Sequence, residues 1–515
     1  MSALDLRNLR ISFGPRTVVD GVDLTVEPGE CVAVVGESGA GKSLTALALL
    51  GLTPPGARVG ADRLEIDGVD LRRAGERAWR EVRGDRIALV SQDALVSLDP
   101  LARIGAEVAE PLEIHTRLDR RQRAQRVHEL LLRVGMPHPD RRVRQRPHEL
   151  SGGLRQRALI ASALAAAPRV LVADEPTTAL DATVQARVLG LLRSLVDEGV
   201  GLLLISHDLT AVARVADRII VMRNGRVVET GPAAQVLRDP QHPYTRELVD
   251  GTTIPPAESP AGGAVVLAAD GLHKTFRGST AVDDVTFTVR AGRSLGIVGE
   301  SGAGKSTVAR LLLGVETPDR GTVCFDDAPW NPAREQDRRP RRPRIQLVHQ
   351  DTRAAFDPRW TIGRSLREAL AAGGVPAGRH AARTADLLQL VELDPELAGR
   401  RPGQLSGGQR QRAAIARALA TQPDVLVLDE PVSALDVSVQ RRVLELLARL
   451  RRELRLTTVL ISHDLAVVRG LADDVLVMKD GRVVERGVTT DVFDRPQHPF
   501  TIELVAASAR SDRIT

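Results

Sequence analysis

Lysine is nearly missing from this sequence. Of 71 basic residues in a chain of 515, only Lys42, Lys274, Lys305 and Lys479 are lysines, and arginine supplies the rest. The net charge is only +5, too small an excess at this length to point to a nucleic-acid binder. The arginine clusters 120–126, 141–146 and 338–344 read more readily as solvated surface than as polyanion patches. Cysteine is confined to Cys31 and Cys324, which excludes a disulfide framework and a cysteine metal cluster and fits a reducing cytoplasm. Long apolar runs are also lacking. The longest, 158–173, is interrupted by Pro168 and Arg169 and is too short to span a bilayer. The first fourteen residues alternate charged and apolar side chains, which predicts no export signal. Aromatic residues are scarce, with seven Phe, three Trp and one Tyr, so the position of each one carries information.

What the chain does contain, it spells twice. VVGESGAGKS at 34–43 returns as IVGESGAGKST at 297–307. Gly36, Gly41, Lys42 and Ser43 thus match Gly299, Gly304, Lys305 and Ser306, and each copy is a G-x-x-x-x-G-K-[ST] phosphate-binding loop. The chemistry requires these residue types. Glycines let the backbone curl until several N–H groups face one anion, and the following helix points its positive end at the same place. Lys42 and Lys305 add compact, mobile charges for the β- and γ-phosphates, which the larger planar arginine would not replace. The Ser43 and Ser306 hydroxyls suit Mg²⁺. Apolar strands are expected at 31–35 and 294–298, immediately before the loops.

The repeat extends over nearly the whole chain. Phe13 matches Phe276, Gln92 matches Gln350, Ser151 matches Ser406, Asp174 matches Asp429, His207 matches His463, and His242 matches His498. The expected organisation is two homologous halves, 1–250 and 264–505, joined by a Pro/Gly linker at 251–263 and followed by a tail at 506–515. Short apolar runs alternate with helical patterns, which predicts an α/β fold whose core sheet is mostly parallel. Strands are expected at 170–173 and 202–205 with a helix at 184–196 between them, and 95–167 reads as a separate helical lobe.

Two further signals follow each loop. LVADE and LVLDE place adjacent acids at a strand end. Asp174 and Asp429 suit Mg²⁺, while Glu175 and Glu430 suit a general base that deprotonates water. LSGGLRQR at 150–157 and LSGGQRQR at 405–412 read as helix starts with a capping hydroxyl, Ser151 or Ser406, and open N–H groups at Gly152, Gly153, Gly407 and Gly408.

Together these residues resemble the ATP-binding-cassette (ABC) ATPases, over essentially all of both halves. LSGG resembles the family signature, GESGAGKS its Walker A loop, and LVADEP and LVLDEP its Walker B strand. Gln92 and Gln350 match the Q-loop, the Ala-Leu-Asp triplets 179–181 and 434–436 the D-loop, and His207 and His463 the switch histidine. SQDALVSLDP at 91–100, HQDTRAAFDP at 349–358, DPQHPYTREL at 239–248 and RPQHPFTIEL at 495–504 resemble the paired ATPase subunits of dipeptide, oligopeptide and nickel importers, fused into one polypeptide. Many such subunits carry cysteines after HPYT. None is present here, so no iron–sulfur cluster is expected.

The resemblance implies that the two halves close head to tail over two ATP molecules. One site would use Gly36, Ser38, Gly39, Gly41, Lys42, Ser43, Gln92, Asp174, Glu175 and His207 with Ser406, Gly407 and Gly408. The other would use Gly299, Ser301, Gly302, Gly304, Lys305, Ser306, Thr307, Gln350, Asp429, Glu430 and His463 with Ser151, Gly152 and Gly153. Mg²⁺ would take Ser43, Gln92 and Asp174 in one site and Ser306, Gln350 and Asp429 in the other. Phe13 and Phe276 stand where the family stacks adenine, against the plainer reading of strand phenylalanines packed in the core. The implied role is an ATPase on the cytoplasmic face of the membrane that drives import, peptide first and nickel or another small solute next. Its partners would be two permeases and an extracytoplasmic solute-binding protein. The competing reading is a tandem-cassette translation factor on the ribosome. The short Pro-rich linker argues against it, and a DNA-repair ATPase would need zinc cysteines or a long coiled coil.

Overall fold

The computed structural model describes residues 2–37, 39–91, 97–177, 182–250, 263–276, 278–300, 302–432, 435 and 437–509. The chain divides into two compact units that meet in sequence at Asp250 and Gly251.

The first unit is built on a six-stranded sheet. From edge to edge it runs Arg226–Pro232, Arg218–Arg223, Cys31–Val35, Gly201–Ile205, Val170–Asp174 and Ile87–Val90. Only the first pair is antiparallel, and the other four pairings are parallel. A sheet covered on both faces needs strands without polar alternation, and CVAVV and GLLLI are buried at every position. Cys31, Ala33 and Val35 pack against the helical side of the unit. Val32 and Val34 pack in the opposite direction, against Leu4, Leu6, Ile11 and the helix that follows the loop. Each fully buried Val, Leu or Ile contributes about 1.5–3 kcal/mol, so the strand that carries the loop is firmly held.

No strand lies between Val90 and Val170 among the described residues. Helices Ile104–His115, Arg120–Arg133 and Gly152–Ala163 fill that stretch and form the helical lobe. The helix expected at 184–196 spans Ala182–Asp197. A second, antiparallel sheet was not anticipated. It joins Arg16–Val26, Leu4–Phe13, Arg63–Ile66 and Val69–Asp70, with Ala57–Gly60 also pairing with Leu4–Phe13. The alternation of charged and apolar residues near the start of the chain is the period of this half-buried strand.

The second unit repeats the design. Its six-stranded sheet runs Ile345–Val348, Val425–Asp429, Thr457–Ile461, Ser294–Gly299, Asp474–Lys479 and Arg482–Val488. Its antiparallel sheet joins Ser279–Arg290, Val265–Phe276, Arg320–Phe325 and Ala328–Asn331. Four of the five arginines at 338–344 bond within this unit. Arg338 and Arg341 donate to the Gly314 and Phe325 carbonyls, Arg342 grips Glu335 with two 2.6 Å bonds, and Arg344 bonds Asp424 and Asp326.

One ion pair distinguishes the units. Arg451 donates to the Leu471 carbonyl and pairs with Asp473, and these side chains are 7% and 2% exposed. Asp473 also accepts the Ser294 N–H at 2.8 Å, which ties the pair to the strand before the loop. The matching Arg193–Asp217 pair is 32% and 45% exposed. Arg451→Met removes the guanidinium bonded to buried Asp473 and is expected to cost about 3–5 kcal/mol. Arg193→Met is expected to cost about 1 kcal/mol or less. Denaturant unfolding of the two variants of the full chain checks the ranking, and equal losses would contradict it.

Candidate active sites

Strand register brings the chemical residues of each unit to one edge. In the first unit Val34 and Asp174 both pair with Ile205. In the second, Ile297 and Asp429 both pair with Ile461. The phosphate loop, the acid pair and the histidine therefore leave the carboxyl ends of three adjacent parallel strands, the edge at which open α/β sheets bind ligands.

The loop is held in shape by its own lysine. Lys42 Nζ donates to the Gly36 carbonyl at 2.6 Å and the Glu37 carbonyl at 2.9 Å. Lys305 does the same to Gly299 at 2.8 Å and Glu300 at 2.7 Å. Both lysines are buried at the start of their helices, Lys42–Ala48 and Lys305–Leu312. Gly36 has φ +149°, and a Cβ there would lie 2.2 Å from the Met222 carbonyl oxygen. Gly299 stands in the same relation to Met478. Gly41 and Gly304 cap the helices in the left-handed region, at φ +97° and +96°, where a side chain is strained. Gly39 and Gly302 occupy the open crest of each loop, and Thr307 lies in the first turn of the second helix.

Beside each loop stands a carboxylate suited to a cation. Ser43 Oγ donates to Asp174 Oδ1 at 3.2 Å. Burial raises the Asp174 carboxyl, and Glu175 adds to the rise against the lowering effect of Ser43 and Lys42. Burial likewise raises Asp429, with Glu430 adding to it. Asp429 Oδ1 is buried and has no hydrogen-bond partner among the described residues. An orphaned carboxylate oxygen beside the Ser306 hydroxyl is an all-oxygen donor set, which fits a hard divalent cation.

The glutamates turn away from the strands. Glu175 and Glu430 have φ of +48° and +47°, unusual for a residue with a Cβ and costly unless the surroundings impose it. Backbone bonds to the Ile205 and Ile461 carbonyls, both 2.9 Å, hold this conformation. Each carboxylate meets its histidine, with His207 Nδ1 and His463 Nδ1 both 3.1 Å from Oε1. Gln350 Nε2 donates to Glu430 Oε2 at 2.6 Å, so glutamine, glutamate and histidine form one chain. Ser38, Gln92, Ser301 and the D-loop residues Ala179, Leu180, Asp181, Ala434 and Asp436 lie outside the described residues, as does most of the linker.

The two signature helices differ, and one expectation is corrected. Ser406 accepts the Gln409 N–H, and Gln409 Oε1 accepts the Ser406 N–H at 3.0 Å, a complete capping box. Ser151 also sits at a helix start, but its hydroxyl makes no capping bond. Leu154 replaces the glutamine and packs toward the core, so the returning half of the box is lost. Gly153 and Gly408 answer to packing. A Cβ at either would lie 2.4 Å from Val184 Cγ1 or 2.3 Å from Val439 Cγ1. Gly152 and Gly407 open the two helices. Among the described residues no hydrogen bond ties Ser151 or Ser406 to the loop of its own unit.

Phe13 ends its strand half-buried against the core. Phe276 is 38% exposed, with Lys274 Nζ 5.4 Å above its ring. Tyr244, not singled out in the sequence, accepts the Glu37 N–H of the first loop at 2.9 Å. Its signals were its rarity and its place in the DPQHPYTREL stretch, and neither points to the loop.

Comparison with known proteins agrees with this architecture. The pattern described as "ABC transporter" matches residues 19–178 and 282–433. "Oligopeptide/dipeptide transporter, C-terminal region" matches 228–269. The chain is 42% identical to the peptidoglycan transport ATP-binding protein YejF of Agrobacterium fabrum, over 98% of this chain and 96% of that one. It is 39% identical to the glutathione import ATP-binding protein GsiA of Pectobacterium atrosepticum, over 99% and 90%. The solved archaeal ribosome recycling factor, in complex with a stalk protein, is 21% identical with a TM-score of 0.61, covering 89% of this chain and 85% of that one. At that identity the likeness shows the fold alone. The chain belongs to the ABC transporter family, with two ATP-binding cassettes, and is an ATPase of the kind coupled to transport.

The histidines give a pH test. Hydrogen bonding to Glu175 raises His207 above the ordinary 6.5, against the lowering effect of burial; Asp208 adds to the rise and Lys42 opposes it. His463 is raised in the same way by Glu430, with Asp464 adding and Lys305 opposing. A raised folded value means that the pair's stabilisation is complete below 6.5 and fades as pH climbs through the folded value. His463→Gln is therefore expected to lose more unfolding stability at about pH 6 than at about pH 9. An equal loss at both pH values would contradict the assigned pair.

Proposed function

We propose that this chain energises an importer of small peptides, working at the cytoplasmic face of the membrane through two permease subunits fed by a solute-binding protein. The observation that carries the reading is the match of 228–269 to the oligopeptide/dipeptide transporter C-terminal region within a two-cassette chain. Relatives aligned over nearly the full length have names that specify peptidoglycan transport and glutathione import, which favours peptide over nickel. Among the described residues no helix is long and apolar enough to cross a membrane.

At each site the loop N–H groups and Lys42 or Lys305 bind the phosphates. Mg²⁺, held by Ser43, Gln92 and Asp174 or by Ser306, Gln350 and Asp429, would neutralise charge on the phosphate oxygens. Glu175 or Glu430 takes the proton of the attacking water. The same carboxylate now faces a histidine whose proton it stabilises, and a protonated partner makes it a weaker base. A γ-phosphate that draws His207 or His463 toward itself therefore frees the base only when ATP is in place. Phe276, exposed and adjacent to a cation, is the better placed of the two phenylalanines to stack adenine.

Glu175→Gln/Glu430→Gln in the full chain is expected to lower ATP turnover by about 10²–10⁴-fold while ATP binding persists. Because it holds ATP, the tagged double variant should retain the partner that prefers the ATP state. Recovery of two multi-spanning permeases with it supports the importer. Recovery of ribosomes without membrane proteins would replace this reading with a translation factor.

A further inference from the structure

The chain has a single tyrosine. Tyr244 lies on helix Pro243–Asp250, far in sequence from the loops, and is 1% exposed. Its surroundings leave the ring one position. Glu229 accepts the N–H groups of Gln241 at 2.9 Å and His242 at 3.0 Å, which fixes the turn before the helix. His242 Nδ1 accepts the Tyr244 N–H at 3.1 Å. The Arg223 guanidinium lies 4.6 Å above the ring, at the end of the strand whose Met222 carbonyl abuts Gly36. The phenol oxygen is thereby brought to the Glu37 N–H at 2.9 Å. Burial pushes this phenol up to about 12, so the hydroxyl stays neutral.

The bond matters because of the peptide it holds. The amide joining Gly36 to Glu37 gives its carbonyl to Lys42 at 2.6 Å and its N–H to Tyr244 at 2.9 Å. A peptide is a rigid plane, so its two polar ends are fixed from opposite directions. If the plane rotated, the carbonyl would leave Lys42 and the lysine would lose one of its guides.

The second unit supplies the comparison. Glu485 accepts the Gln497 and His498 N–H groups at 2.9 and 3.0 Å, and His498 Nδ1 accepts the Phe500 N–H at 3.2 Å. Lys479 Nζ takes the place of the guanidinium, 4.7 Å from the ring. Lys305 holds its loop as Lys42 does. The frame is repeated, but Phe500 has no hydroxyl to offer Glu300.

We infer that Tyr244 is a positioning residue for the first phosphate loop: its hydroxyl orients the Gly36–Glu37 amide, presets Lys42 for phosphate, and gives the two ATP sites unequal affinity. This inference rests on the reading of the loops as ATP sites. Were the tyrosine merely core filling, phenylalanine would serve equally well.

The test titrates the full chain with ATP by equilibrium binding, one site at a time. With Lys305→Ala silencing the second site, Tyr244→Phe is expected to raise the Kd for ATP ~2–10-fold, the effect of one hydrogen bond. With both sites intact, it should raise KM with kcat nearly unchanged. With Lys42→Ala silencing the first site, Phe500→Tyr is expected to tighten ATP binding by a similar factor. An unchanged Kd in Tyr244→Phe, with an unchanged melting temperature, overturns the inference. If Tyr244→Phe does not fold, Phe500→Tyr decides alone, and unaltered binding there overturns it. Lys42→Ala combined with Lys305→Ala keeps the two readings distinguishable, because undiminished ATP binding by that double variant would remove the loop assignment itself.

Discussion

Three parallel strands in register hold each site together. Ile205 lies between Val34 and Asp174, and Ile461 between Ile297 and Asp429. A slip of one residue in either ladder would send a chemical side chain to the wrong face, since the side-chain period of a strand is two. The same ladder extends one bond past the strand to hold Glu175 and Glu430 in their left-handed conformation, so the site's most strained residues draw on its most stable element.

The two halves share a plan and differ at single atoms. The first lacks the reciprocal capping box at its signature helix, the second lacks the hydroxyl above its phosphate loop, and the buried ion pair of the second is open to water in the first. Each difference lies at a helix start, a loop or a strand end. The sheets keep the same strand order, but core positions differ in kind, with buried Cys31, Gly201 and Leu202 standing where the second unit has Ser294, Thr457 and Thr458. The divergence is not confined to the edge that carries the loops, since the buried pair of the second unit bonds Ser294 at the opposite end of that strand.

The phosphate loops, acid pairs and histidines were legible in the sequence because each is a contiguous motif whose meaning depends on its immediate neighbours. The central strands were legible for a related reason, since double burial removes polar residues from short runs such as CVAVV. The antiparallel sheet was less so. The alternation from Leu4 to Phe13 was plain, but its partners lie in weakly patterned stretches such as Ala57–Gly60, mostly exposed. Ser151 was expected to cap its helix, but its hydroxyl makes no such bond, and Leu154 in place of glutamine removes the returning half of the box. Tyr244 was out of reach because its partner Glu37 is 207 residues away, and local pattern does not encode a contact of that kind.

The near absence of lysine has a consequence for the surface. Lys42 and Lys305 are buried, Lys274 is held by the Thr317 carbonyl and Asp319, and Lys479 lies half-buried over Phe500. Arginine carries the positive charge everywhere else. Enzymes that acetylate or ubiquitinate exposed side-chain amines thus meet a protein with almost no handles, since the two loop lysines are buried and only Lys274 and Lys479 are even partly open to solvent.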